Sequence, residues 1–290
     1  KDGDLSGRMP DVNGLSVLEI LDKLRVVKDG KFKRAAIILF GKDPNRFYPN
    51  VQVKIGRFTG KDEDLKFQEI EEGNLVQLLE NVPKQLNRNF LTRLIDFKGL
   101  QRIEKGEYPV AAIREMLLNA LVHKNYMGST IQLRVYDNKI TIWNEGNLPE
   151  GLSYEALKRT HSSLPRNPII ADVCFKAGYI DTWGRGTLKI FNSCREAELP
   201  EPEIQPFDGG VLVTIYKDFL NETQLKKIGL NDRQIKAVAF VKENGRITNN
   251  EYNNLNDVSE RTALRDLDEL TSKSILKKQG EKKGTFYELG

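Results

Sequence analysis

The stretch whose reading decides the fold is residues 108–126, YPVAAIREMLLNALVHKNY. Tyr108-Pro109 opens a helix that runs to about Val122, because proline suits the first turn, where its missing N–H has no partner to lose. Ile113, Met116, Leu117, Ala120 and Leu121 recur at helical spacing and make one face core. Leu118 and Val122 make the opposite side apolar as well, which predicts a helix covered on most sides. Glu115, Asn119 and His123, each one turn from the next, then face a largely enclosed space. Polar groups in such a place cost free energy unless they are bonded. Two explanations fit the spacing. One is a buried polar network tying helix to sheet. The other is a cation-and-phosphate site, in which the carboxylate positions a water and the amide oxygen helps to hold Mg²⁺.

Downstream, Ile131–Tyr136 and Lys139–Trp143 alternate like strands, and Asp137-Asn138 between them predicts a hairpin. The chain continues through Asn144, Gly146 and Gly151, a short helical stretch, and the irregular run Ser162–Pro168. Trp183-Gly184-Arg185-Gly186-Thr187 then leads into a helix that reaches about Ala197. Two glycines at a helix N-terminus let backbone N–H groups approach an anion, and Arg185 adds charge; the plainer alternative is a tight turn. No Gly-x-x-x-x-Gly-Lys-Ser/Thr loop occurs in the chain, which excludes a helicase motor of that type.

Residues 231–290 have their own pattern. Asn231 with Gln234 is a capping pair that opens a helix ending at Asn244-Gly245. Arg246-Ile247-Thr248 is a short extended link, with Thr248 capping a second helix and Ser259 a third, whose Leu264, Leu267 and Leu270 are expected to face inward. Ile275-Leu276, a turn at Gly280 and Thr285–Leu289 complete a hairpin, and the whole order is that of a winged helix-turn-helix. In that arrangement the third helix enters the major groove of double-stranded DNA, here with Glu260, Arg261, Thr262 and Arg265 at its exposed start. Between Lys273 and Lys283, five lysines (Lys273, Lys277, Lys278, Lys282, Lys283) oppose one acid, Glu281, a local excess suited to phosphates. A protein-binding module with a solvated lysine turn is the competing reading, and Asp266, Asp268 and Glu269 dilute the positive face.

Toward the N-terminus, Leu15–Leu24 reads as a short amphipathic helix. Arg34–Gly41 and Val51–Phe58 read as strands, with a loop between them. A helical pattern over 70–89 links this part to the centre. The chain opens at Lys1 in place of Met, which fits a piece of a longer protein.

Totals bound the classes. Over 290 residues, 45 Lys and Arg against 41 Asp and Glu leave +4, too little to prove a nucleic-acid partner by itself. No apolar run approaches the ~18 residues that cross a bilayer, so no membrane partner is expected. Cys174 and Cys194, with two histidines in all, predict neither a zinc site nor a disulfide framework, and nothing suggests haem. Cysteine usage of this kind fits the cytoplasm.

Three motifs, Arg114-Glu115-Met-Leu-Leu-Asn119-Ala-Leu-Val-His123-Lys-Asn-Tyr126, Arg166-Asn167-Pro168 and Trp183-Gly184-Arg185-Gly186, together resemble a family of bacterial transcriptional regulators often labelled RecG-like or helicase-related. The resemblance covers nearly the whole chain. It implies an α+β multidomain protein with three parts. Residues 1–68 would be a partial Schlafen/Alba-type α/β domain. Residues 69–220 would be a Bergerat-type α/β sandwich, the ATPase fold of gyrase and histidine kinases. Residues 221–290 would be a winged helix-turn-helix.

By position it makes Glu115 the water-activating base of a weak ATPase and Asn119 the Mg²⁺ ligand through ATP only. It gathers His123, Asn144, Gly146, Gly184, Arg185 and Gly186 around the nucleotide. The wider superfamily reads adenine with Asp-x-Gly-x-Gly, where this chain has Asn144-Glu145-Gly146-Asn147-Leu148, so both the aspartate and the second glycine are replaced. DNA contacts fall to Arg261, Thr262, Arg265, Lys277, Lys278, Lys282 and Lys283, with a homodimer on two half-sites. The competing class is a Mg²⁺-dependent ATPase acting with nucleic acid, and a third is a scaffold whose winged helix contacts protein.

Overall fold

The computed structural model describes the chain except for residues 1–6, 10–11, 13, 60–62, 99–100, 181–183, 198, 218–219, 221 and 281–283. It divides into two compact units, 1–217 and 218–290.

The first unit is built on a six-stranded mixed sheet. Strands β3 (Gln52–Phe58) and β4 (Leu65–Glu72) form one side of it, after a small ribbon of β1 (Val27–Lys28) and β2 (Lys31–Phe32). A separate two-stranded ribbon follows, β5 (Arg93–Lys98) with β6 (Gln101–Gly106). The sheet resumes with β7 (Ile131–Val135), β8 (Lys139–Glu145), β9 (Glu203–Phe207) and β10 (Gly210–Tyr216), in the order β4-β3-β7-β8-β10-β9. The β3–β7 pair is parallel and the others are antiparallel. The sequence accounts for the centre of the sheet: Ile131, Leu133 and Val135 alternate into the core, and Ile140–Asn144 is buried throughout, as befits an inner strand.

The helices are α1 (Val17–Lys23), α2 (Arg34–Phe40), α3 (Leu75–Gln85), α4 (Val110–His123), α5 (Pro168–Lys176) and α6 (Gly186–Glu196). α4 packs on β8 and against α3 and α6, and one continuous core takes in residues from α2 to β10. The covering predicted for α4 is observed, with Ala112, Ile113, Met116, Leu117, Leu118, Ala120, Leu121 and Val122 all buried.

Four expectations change. Residues 34–40 form a helix and not a strand; Ala35, Ala36, Ile38 and Leu39 are buried. A six-residue apolar run is too short for its period to separate the two. The segment 70–89 begins as strand, and its helix starts only at Leu75, where Asn74 and Gln77 close a capping box. The division drawn at 68/69 falls inside β4, whose partner β3 pairs in turn with β7, so N-terminal and central residues share one sheet. Strand β9 and the ribbon β5–β6 were not anticipated; β9 is an edge whose mostly exposed residues carry little apolar alternation.

The second unit has its own core. It contains α7 (Glu222–Lys227), α8 (Asp232–Asn244), α9 (Asn249–Asn256), α10 (Glu260–Ser272) and the hairpin β11 (Leu276–Gln279) with β12 (Phe286–Leu289). The predicted caps are in place: Asn231 with Gln234, Thr248 with Glu251, and Ser259 accepting from the Thr262 N–H. Ile247 pairs with Tyr287, joining the short extended link to the hairpin. Leu267 and Leu270 are fully buried, but Leu264 is 44% exposed: it follows buried Ala263 by one residue and so turns away from that face.

Candidate functional site

Along one side of α4 stand Glu115, Asn119 and His123, spread over two turns, ~12 Å of helix. All three line a cavity of about 650 Å³, a usual size for a small-molecule site. A larger apolar groove of about 940 Å³ lies beside α1 and α2, away from this chemistry.

Glu115 is 4% exposed, and its carboxylate is not left alone. Asn119 Nδ2 donates to Glu115 Oε1 at 3.2 Å and to the Glu115 carbonyl at 2.9 Å. The ammonium of Lys189, one turn into α6, stands 3.9 Å from Oε2. The first residue of α6 is Gly186, and a Cβ there would run into Glu115 Oε1. Gly184 has φ +62°, and a Cβ there would strike the His161 carbonyl. The loop before α6 is held further by Thr187 Oγ1, which donates to the Leu157 carbonyl at 2.7 Å. Both glycines are thus places where helix, loop and carboxylate approach too closely for a side chain.

At the far end of α4, Asn167 Nδ2 donates to the Val122 carbonyl at 2.8 Å and the Lys124 carbonyl at 2.9 Å, closing the helix C-terminus. That contact fixes its neighbour Arg166, whose guanidinium lies against Gly146 (φ +119°) and donates to the Asn147 carbonyl at 2.9 Å. Glu145 anchors the end of β8 by accepting from the Ser129 N–H at 2.5 Å and from Asn125 Nδ2 at 3.2 Å. The Ser129 N–H bond is the chief cause that holds its carboxyl below the usual range. Lys124, 1% exposed, gives its ammonium to the Asn125 and Ser129 carbonyls, and burial pushes it down to about 8. Burial, with Arg166 and His161 nearby, pushes His123 down to about 4, so its ring is neutral at pH 7.

The structure therefore brings together Glu115, Asn119, His123, Asn144, Gly146, Gly184 and Gly186 around one cavity. Arg185 is exposed and is not among the residues lining it. Arg166, His161 and Thr187 line it without having been singled out as site residues. The Arg166-Asn167-Pro168 run was a signal for the first, but its role depends on residues more than forty positions away.

In the second unit, Arg261 and Arg265 are exposed and Thr262 is half-buried at the start of α10, while Lys277 and Lys278 are exposed on β11. Lys282 and Lys283 lie outside the described residues. Asp266 does not dilute the positive face: it is 1% exposed and accepts from Arg233 Nε at 3.0 Å and from the Tyr252 hydroxyl at 3.0 Å.

Comparison with known proteins agrees with the central sheet. Residues 128–215, from the loop before β7 through β10, match the family described as "Putative ATP-dependent DNA helicase recG C-terminal". This segment is an ATPase-like domain related to that family; it contains Asn144, Gly146, Gly184 and Gly186, while Glu115 and Asn119 precede it. No curated protein matches the chain. Among solved structures, the DIP2311 protein from Corynebacterium diphtheriae is 17% identical with a TM-score of 0.60, a likeness of fold alone. The alignment covers 100% of this chain and 61% of that one.

Proposed function

We propose that this chain is a nucleotide-responsive DNA-binding regulator. The observation that carries the reading is the convergence of Glu115, Asn119, Asn144, Gly146, Gly184 and Gly186 on one cavity within and beside an ATPase-like domain. The residues fit a Mg²⁺-nucleotide. Asn119 commits its amide nitrogen to Glu115, and its oxygen accepts no hydrogen bond among the described residues, which leaves that oxygen for a cation. Among those residues no three His, Cys, Asp or Glu side chains converge, so the ion would be shared with the nucleotide's own phosphates. Bound there, Mg²⁺ would neutralise phosphate charge. The N-terminus of α6 offers backbone N–H groups to the same phosphates.

The second unit supports the DNA half of the reading. Three capped helices followed by a hairpin are the order of a winged helix, and Arg261, Arg265, Lys277 and Lys278 are exposed for base edges and phosphates. Two copies on two half-sites would be the working form. Hydrolysis is the second reading, favoured by the burial of Glu115 beside Asn119 and Gly186, which suits a general base.

The deciding experiment is a titration of the purified chain with ATP and Mg²⁺, wild type against Asn119→Ala. Saturable binding that weakens at least tenfold in the variant is expected; a wild type that binds no nucleotide sinks the proposal. Turnover abolished by Glu115→Ala would establish the enzyme reading, and binding without turnover would leave the regulator.

A further inference from the structure

The groove of about 940 Å³ beside α1 and α2 differs in chemistry from the polar cavity. It is bounded by α1, by α2 and the Gly41-Lys42 link after it, by the first turn of α3 and by the last turns of α5. A depression between helices is a shape that encloses a small molecule, and its volume is in the range of such sites. α1 has no fully buried residue. Val17 is 72% exposed, Phe32 57% and Phe40 40%, and all three line this one groove. Single apolar side chains in water are ordinary, whereas a cluster of them around a concavity marks a binding surface. Few polar side chains line the groove, and most of those are engaged within the protein. Asn74 and Gln77 close the capping box of α3, and Asn74 Nδ2 also donates to the Gly41 carbonyl at 3.0 Å. Lys176 is tied to Asp172 at 2.7 Å. Lys42 is different: it is exposed and makes no ion pair with any described residue. The Asn74–Gly41 bond sets it beside the start of α3, where the helix dipole is positive as well. The groove thus has an uncompensated positive charge at one place on its rim and apolar walls elsewhere.

We propose that this groove binds a free long-chain carboxylate, with the hydrocarbon chain among α1, α2 and α5 and the carboxylate at Lys42. The chain takes Val17, Phe32 and Phe40 out of water and asks for no hydrogen bond from walls that have few to give. The head group stays at the rim, where the Lys42 ammonium attracts it and water still solvates both charges. An extended peptide suits the groove less well, because its backbone N–H and C=O groups need partners that Asn74, Gln77 and Lys176 have already given to the protein. A neutral hydrocarbon leaves Lys42 unused, and a cationic amphiphile is repelled by it. Nucleotide binding plays no part in this reading, so the two stand or fall separately.

The test is equilibrium dialysis of the full chain against labelled palmitate, octanoate, hexadecanol and hexadecylamine, each below its micelle concentration. Palmitate is expected to saturate a single site and to bind at least ~100-fold tighter than octanoate, since each buried methylene adds roughly fourfold. At low salt it should exceed hexadecanol by about threefold, an advantage that Lys42→Met removes. Lys42→Glu should turn the order over and favour hexadecylamine; the side chain is exposed, so neither variant endangers the fold. Val76→Trp, which fills the groove from α3, should weaken palmitate by at least ~10-fold. No saturable uptake of palmitate by the wild type overturns the proposal. So does palmitate binding that the Lys42 variants and Val76→Trp all leave unchanged, because the chain then lies elsewhere. Retention on phosphatidylglycerol vesicles without uptake of free palmitate would assign the groove to a membrane surface. Self-association lost in Val76→Trp, again without palmitate uptake, would assign it to a second copy, and either result overturns the free carboxylate.

Discussion

Replacing Gly184 by alanine tests whether the turn before α6 is built by close approach or merely tolerates glycine. Two costs apply. At φ +62° an L-residue is strained by ~1–2 kcal/mol. The new Cβ would also collide with the His161 carbonyl, a backbone atom that cannot swing aside as a side chain can, and such overpacking typically adds ~1–3 kcal/mol. Gly151 supplies the control, since it has φ +81° with nothing within 4 Å of its added Cβ, so Gly151→Ala incurs the strain alone. For a unit of this size, 1 kcal/mol corresponds to ~2–4 °C in melting temperature. Gly151→Ala should therefore lower the melting point of the first unit by ~2–8 °C and Gly184→Ala by ~4–20 °C. Scanning calorimetry of the full chain, which separates the two units if they melt apart, gives both values. Should Gly184→Ala melt no lower than Gly151→Ala, the close packing of this turn on residue 161 is refuted, and with it the account of how α6 is placed over Glu115.

Three further outcomes are expected. With the folded His123 held near 4 and the unfolded ring at ~6.5, the unfolded chain takes up a proton that the folded chain refuses between those values. Stability contributed by the neutral ring is thus complete above pH 6.5 and is lost as pH falls toward 4, by at most ~3 kcal/mol. Denaturant titrations at pH 7 and 5 should show His123→Gln losing less on acidification than wild type, and parallel losses would contradict the burial argument. Asp266→Ala removes the acceptor shared by Arg233 and Tyr252; because Arg233 is partly exposed, the loss should be ~2–3 kcal/mol, or ~8–24 °C for a unit of some seventy residues. An unchanged melting point for the second unit would show that the network is dispensable. Arg261→Ala combined with Arg265→Ala should weaken DNA binding by at least ~30-fold at fixed salt without altering the fold, and undiminished affinity would remove α10 from the interface.

Much of what is local in this chain is legible from residue order alone. The caps at Asn231, Thr248 and Ser259 join a side chain to a backbone N–H within three residues, so neighbours in sequence suffice to specify them. The same holds for α4, where fourteen residues carry their own period and set Glu115, Asn119 and His123 on one side. Tertiary structure decided the rest, because the deciding contacts are distant in sequence. Residues 34–40 are helical through packing that their short apolar run does not encode, and β3 joins β7 across more than seventy residues to merge two expected domains into one sheet. Asp266 looks like a surface charge until Arg233 and Tyr252 close over it. Arg166 reaches the cavity because Asn167 is tied to the end of a helix 43 and 45 positions earlier. Local hydrogen bonds are written into adjacent residues, whereas burial and the meeting of distant polar groups are properties of the packed chain.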